Sequence, residues 1–306
     1  MKSFILNLLK FLSFSFVFYI VATFIYGSFA PSVLNPNLKY KMGSYGHLYS
    51  RINEIEEYNN LDLLFLGSSH AYRGFDTRIF KKNGYKSFNL GSSSQTPLQT
   101  KVLLKRYLDI LKPDKVIYEV YPNTFEVDGV ESSIDLISND DNDIHSLKMA
   151  VNVNNIITYN TFIYCSLRDV FKLDDSFEES KSHGRDTYIS GGYVEKDMDF
   201  YNPVEFKKKK IEINEQQFET FKEIIQLLKE NGIETILVFA PITESNYSRY
   251  TNISEFDSIM SSYSKYYNFN EMMSLGDSLH FYDSHHLNQK GVEKFNKELI
   301  EFLKKR

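Results

Sequence analysis

Four short apolar runs, each closed by glycine or proline, alternate with stretches of helical periodicity. Leu61–Leu66 stops at Gly67, Lys86–Leu90 at Gly91, Lys115–Tyr121 at Pro122 and Ile233–Ala240 at Pro241. Runs this short and this apolar read as buried strands. Between them, Pro97–Leu111 sets Leu98, Val102, Leu103, Tyr107 and Leu111 on one helical face. Asn214 caps a helix carrying Phe218, Phe221, Ile225 and Leu228, and Gly232 follows its end. Ile253–Tyr267 reads as a further helix. The last helix runs over Gln289–Lys304, with Asn288 as its cap and Val292, Phe295, Leu299 and Phe302 on its face. Strands alternating with helices predict an α/β fold, a three-layer α/β/α sandwich about a central parallel sheet. In such sheets ligands bind beyond the C-terminal ends of the strands, which is where chemistry is to be sought.

A second feature precedes this body. Phe11–Ala30 carries no charge, and twenty helical residues rise ~30 Å, enough to cross a hydrocarbon core. Lys2, Lys10 and the amino terminus lie on the near side, so the N-terminus is expected in the cytoplasm and the rest outside the membrane. A cleaved signal peptide is the rival, with Ser28-Phe29-Ala30 as its cleavage pattern. Pro31 directly after it opposes cleavage, and a signal peptide's apolar region is usually shorter, ~7–15 residues. The expected organisation is an anchor over 1–30, a polar linker over 31–60 ending in a short helix near Leu48–Tyr58, and one domain over 61–306. That domain carries an insertion at about 124–210, with helices expected near 144–153 and 156–171.

Composition removes several function classes. With 42% apolar and 25% charged residues the chain can build a packed core. The 35 basic and 40 acidic side chains leave a net charge near −5, so no nucleic-acid partner held by a basic face is expected. Lys207–Lys210 reads as a solvated face, with contact to an anionic polymer or lipid headgroup as the alternative. The single cysteine, Cys165, excludes an internal disulfide and a cysteine-rich zinc site; it reads as a core residue of the insertion.

The chemistry-bearing residues follow the strands. After the first comes Gly67-Ser68-Ser69-His70, a serine on a tight strand-to-helix turn. After the second comes Gly91, after the third Tyr121-Pro122-Asn123, and before the last helix Asp283-Ser284-His285-His286. A serine hydroxyl needs a base to take its proton, and the base needs a carboxylate to orient it. Asp283 and His286, three residues apart, can be presented by one loop.

This order of motifs resembles the SGNH/GDSL hydrolase superfamily over residues 61–306, the insertion apart. The resemblance implies Ser69 as nucleophile, His286 as base and Asp283 as its orienter. It also implies an oxyanion hole built from the Ser69 and Gly91 amides, with Asn123 as a third donor. Ser68 stands at the family's aspartate position, and the family's third motif, Gly-x-Asn-Asp, is absent, with Tyr121-Pro122-Asn123 in its place. The anchor and the Gly-Ser-Ser-His motif are similar to a membrane-tethered branch that serves alginate O-acetylation and lipoteichoic acid D-alanylation. That likeness implies an extracytoplasmic serine esterase or O-acyltransferase acting on cell-envelope polysaccharide, beside a membrane-bound O-acyltransferase and with no cofactor or metal.

Other residues carry weaker expectations. His70 either positions substrate or packs at the helix start, and Glu119, inside a buried strand, is expected near the rim of the site as a substrate contact. His285 is expected to point away, His280 to lie in a strand, and His47, His145 and His183 to be scattered. Two rival functions remain open. One is a catalytically silent adaptor that binds polysaccharide or the acyltransferase. The other is a metal site on Asp283, His285 and His286, which would need a further ligand.

Overall fold

The computed structural model describes residues 1–305. In chain order the elements begin with helix α1 (Lys2–Phe29), α2 (Leu48–Glu54), strand β1 (Leu63–Leu66), α3 (Ser69–Gly74), α4 (Thr77–Lys82), β2 (Ser87–Asn89), α5 (Pro97–Leu111) and β3 (Lys115–Glu119). The insertion follows as α6 (Val130–Asn139), α7 (Ile144–Val153), α8 (Ile156–Val170) and the strands β4 (Ser182–His183), β5 (Asp186–Ile189) and β6 (Tyr193–Lys196). The body closes with α9 (Glu215–Glu230), β7 (Glu234–Phe239), α10 (Glu244–Tyr247), α11 (Ile253–Tyr263), β8 (Lys265–Asn268), α12 (Phe269–Met272), α13 (Asp277–His280) and α14 (Gln289–Lys304).

The main sheet has the order β2-β1-β3-β7-β8, with every neighbouring pair parallel. Successive side chains of a strand point to opposite faces, and here both faces are covered. Leu64, Leu66, Val116, Tyr118, Leu237 and Phe239 face one core with the apolar sides of α5 and α9. Leu63, Phe65, Ile117, Ile236 and Val238 face a second core with Val292, Phe295 and Leu299 of α14. That is the three-layer sandwich expected from the alternation of runs. The chain leaves β1 toward β2 on one side and takes up β3 on the other, so the sheet reverses its order of strands at the end of β1. Open sheets bind ligands at such a reversal.

Several local expectations need correction. The stretch Ile253–Tyr267 is two elements, because α11 ends at Tyr263 and Lys265–Asn268 joins the sheet as an edge strand beside β7. His280 closes the short helix α13 instead of lying in a strand. The insertion holds α6 besides the two expected helices, and its Ser/Gly-rich part folds into an antiparallel sheet, β4-β5-β6. Part of the segment 31–60 packs on the body while much of it stays exposed: Leu38, Leu48, Arg51 and Ile55 are buried, and Arg51 donates to the carbonyls of Gly192 (3.0 Å) and Gly46 (2.9 Å).

Helix α1 is long and apolar enough to cross a membrane. Only its C-terminal part touches the body. Phe24 packs against Tyr164 and Phe171, and the Tyr40 hydroxyl donates to the Gly27 carbonyl at 2.5 Å. Tyr19 donates to the Asn160 side chain. Gly27 is needed for this fit, since a Cβ there would come within 2.5 Å of the Tyr164 ring.

Candidate active site

Ser69 stands at the start of α3, directly after β1 and Gly67. Gly67 has φ +136°, and a Cβ there would lie 2.9 Å from the Glu119 carbonyl oxygen, so only glycine lets the chain turn this close to β3. Ser68 caps the helix, its Oγ accepting from the His70 amide at 3.3 Å. Ser69 is left half-buried, at the edge of a cleft of about 260 Å³ bordered by Tyr121, Asn123, Ser94 and His285.

The loop between α13 and α14 reaches the same edge. Phe281 pairs antiparallel with Leu287 across its neck, and Asn288 caps α14 by accepting from the Gly291 amide at 3.0 Å. The loop after β7 holds it from the other side: the Thr243 hydroxyl and the Asn246 amide group both donate to the Ser284 carbonyl, at 2.7 and 3.1 Å. Within this frame the Asp283 carboxylate accepts from the backbone amides of His285 (2.9 Å) and His286 (2.8 Å). Its other oxygen lies 2.8 Å from His286 Nδ1, and His286 Nε2 lies 2.8 Å from Ser69 Oγ. The tautomer that satisfies both contacts has its proton on Nδ1, donating to Asp283, with Nε2 free to accept from the serine.

Electrostatics keep this arrangement ready. Burial lowers the His286 pKa below the usual imidazole value and outweighs the opposing hydrogen bond to Asp283, so the ring is neutral at pH 7. Burial alone would raise Asp283, but its bond to His286 and the adjacent imidazoles hold it well below the usual carboxylate range. The set is therefore a hydroxyl, a neutral imidazole and an ionised carboxylate, joined in order by two hydrogen bonds.

The remaining expected residues are placed less simply. The Gly91 amide donates to Asn89 Oδ1 at 3.1 Å, and Gly91 itself is buried, wedged where a Cβ would meet the Ser68 carbonyl at 2.9 Å. It packs the second strand's turn closely against the first. Asn123 sits in the 3-10 turn Pro122–Phe125 and borders the cleft with Ser69. Glu119 is not at the rim. It lies beneath the site, 1% exposed, with its carboxyl pushed up to about 8 by burial. His70 is buried between the two, its Nδ1 3.7 Å from Glu119 and its ring stacked on Tyr121 at 4.1 Å. Its Nε2 has no hydrogen-bond partner among the described residues.

His285 does not point away. It borders the cleft, its ring 4.1 Å from that of His286 and stacked on His70 at 5.5 Å. Burial and the His286 charge lower its pKa to about 4. Adjacent side chains diverge in a strand, but this tight loop turns both rings inward. The structure thereby brings His70 to His285 and His286 as a further potential metal ligand, with ligating atoms within 4.8 Å of one another. The geometry does not suit an ion. Both nitrogens of His286 are engaged, and the His70 and His285 rings are only 19° from parallel.

No family model and no curated protein matches the chain. Among solved structures it is similar to a protein assigned as an acylhydrolase from Bacteroides fragilis, at 15% identity and a TM-score of 0.44, covering 85% of this chain and 97% of that one. It is also similar to a GDSL-like lipase from Bacteroides thetaiotaomicron, at 14% identity and a TM-score of 0.40, covering 84% and 98%. Both likenesses are distant, so the reading of the site rests on its own geometry.

Proposed function

We propose that this chain is a membrane-anchored serine esterase or O-acyltransferase that works through an acyl-serine on Ser69 and acts on cell-envelope polysaccharide outside the membrane. The observation that carries the chemistry is the unbroken relay from Asp283 through His286 to Ser69, with 2.8 Å at each joint. In this reading Ser69 Oγ attacks the carbonyl carbon of an ester while His286 Nε2 takes the hydroxyl proton. Asp283 keeps the imidazole in its productive tautomer and stabilises the cation that forms. The tetrahedral intermediate collapses, and His286 hands its proton to the departing alkoxide. The acyl group is then carried by Ser69 until water or a sugar hydroxyl attacks, with His286 again the base.

The Ser69 amide, on the first turn of α3, and the Asn123 side chain, at the cleft, are the proposed oxyanion donors. Gly91 supports them by setting the turn. His70 and Glu119 are positioning residues in this reading, packed behind the imidazoles. The length and apolarity of α1 support the anchor, with Lys2 and Lys10 on the cytoplasmic side. A membrane-bound O-acyltransferase is the proposed partner in transfer.

The deciding experiment is treatment of the full chain with an activated phosphonate, followed by mass spectrometry. One adduct on Ser69, absent from Ser69→Ala, is expected. A label that survives the substitution removes Ser69 as nucleophile. No label at all, with a deletion phenotype that Ser69→Ala rescues, returns the silent-adaptor reading.

A further inference from the structure

A second concavity of about 740 Å³ is lined by the segment after α1, by α6 and by Ile157 of α8, and it adjoins the cleft beside Ser69. Its floor and walls are largely apolar: Leu38, Tyr40 and Tyr45 from the segment after α1, Val130 and Ile134 from α6, and Ile157 from α8. At one end Tyr40 is bonded to the Gly27 carbonyl, in the last turns of α1. At the other, Asp128 and Glu131 belong both to this groove and to the cleft that Ser69 borders. Glu131 is held there by the hydroxyls of Ser94 (3.0 Å) and Ser93 (3.3 Å). Tyr45 is half exposed in this groove. Lys39, Lys41 and Asp135 lie along the groove as well, but most of its exposed surface is apolar, and an open apolar groove that adjoins the Ser69 cleft across Asp128 and Glu131 marks a site for an apolar ligand.

We infer that this groove takes the aliphatic acyl chain of a glycerolipid-class ester from the bilayer surface, with the ester carbonyl delivered to Ser69. The occupant follows from continuity: one end of the groove opens beside the helix that meets lipid, and the other beside the group that meets esters. The inference rests on the serine-acylation reading and adds to it the donor's chemical class. The steps balance as in any acyl transfer. The ester's C–O bond breaks, the Ser69 Oγ–acyl bond forms, and the lipid alcohol leaves with the proton relayed by His286.

Two experiments separate this inference from the reading beneath it. The first uses no turnover. Full-length Ser69→Ala is placed in phosphatidylglycerol–phosphatidylcholine vesicles containing phosphatidylcholine with a diazirine at the end of one acyl chain. After illumination, adducts are expected on the peptides holding Val130–Ile134 and Tyr45, and are expected to vanish in Ile134→Trp. Adducts confined to α1 and the outer face of α8 would overturn the groove. The second compares p-nitrophenyl octanoate with acetate, both monomeric in solution. Each methylene buried is worth up to about fourfold, the equivalent of ~0.8 kcal/mol, so the kcat/KM ratio is expected to exceed tenfold. Ile134→Trp, and Tyr45→Glu at an exposed position that tolerates change, should each cut that ratio at least fivefold. A ratio near one that neither variant shifts overturns the inference. Absent ester turnover and absent phosphonate label overturn the serine reading, while the lipid adducts still decide the groove.

Discussion

Ser69 Oγ and His286 Nε2 lie 2.8 Å apart although 217 positions of sequence separate them. The sheet makes this possible by ending β1 next to the loop that precedes α14. Removing either group should cost on the order of 10⁴-fold or more in kcat. Asp283→Asn should cost roughly 10⁴-fold as well, because the amide reverses the tautomer preference of His286 without moving it. Steady-state ester kinetics on purified, folded variants measures both. A loss below tenfold for Asp283→Asn would mean that the carboxylate is only a loop brace for the two amides it accepts from.

The base must be neutral to act, and burial lowers the His286 pKa below the usual imidazole value. The acidic limb of kcat/KM should therefore have its midpoint below the ordinary ~6.5. A limb centred above 7 would contradict the burial argument. Stability has the same sign. The unfolded chain takes up protons at His285 near pH 6.5, whereas the folded chain refuses them until about 4. The His285 contribution thus declines as pH falls from 6.5 toward 4, visible as a falling Tm, and below that range the loss of the ionised Asp283 continues the fall.

Glu119 has the opposite slope. Its folded pKa of about 8 lies above its ordinary 4.5, so its contribution is fully present below 4.5 and is lost as pH rises through 8. Glu119→Gln keeps the shape and removes the titration. The fall in Tm between pH 5 and pH 9 should be smaller in the variant than in the native chain. Equal slopes would show that this carboxyl ionises freely.

Gly27 lets α1 close on α8, since a Cβ would reach the Tyr164 ring at 2.5 Å and Leu38 at 2.7 Å. Gly27→Val should free the helix from the body while leaving the sheet intact. Hydrogen exchange in residues 156–170 should rise at least tenfold, with the protection of β1 and β3 unchanged. No change in exchange would mean that the Tyr164 ring swings aside at little cost.

Much of the body was legible because strong local signals agreed with the tertiary structure. Pro97 and Asn288 start α5 and α14 where a first-turn proline and an asparagine cap place them. The strands β1, β3 and β7 are apolar runs closed by glycine or proline. Elements without such signals were missed. β8 is four polar or aromatic residues at a sheet edge, and β4 is two residues, so neither has a period to read. α6 (VESSIDLISN) hides its face behind five buried polar side chains, Ser132, Ser133, Asp135, Ser138 and Asn139. At the site, motif order singled out Ser69, Asp283 and His286, because their positions after β1 and before α14 are set by topology. The orientation of His285 was misjudged for a different reason. Which way a ring turns in a tight loop depends on neighbours such as Thr243, which holds the Ser284 carbonyl from 41 positions away.

The clasp between α1 and α8 has a mechanical meaning. Tyr19 and Phe24 meet Asn160 and Tyr164 of α8, and Gly27 packs against the same Tyr164 ring, so the helix is gripped over its C-terminal turns. A head on a slack leash samples every angle and a wide shell of heights above its anchor plane. With α1 as the proposed anchor, a head bolted to its stalk would keep one tilt and one reach, so its mouth would work a single thin layer of the surroundings, and any substrate would have to be brought to that level.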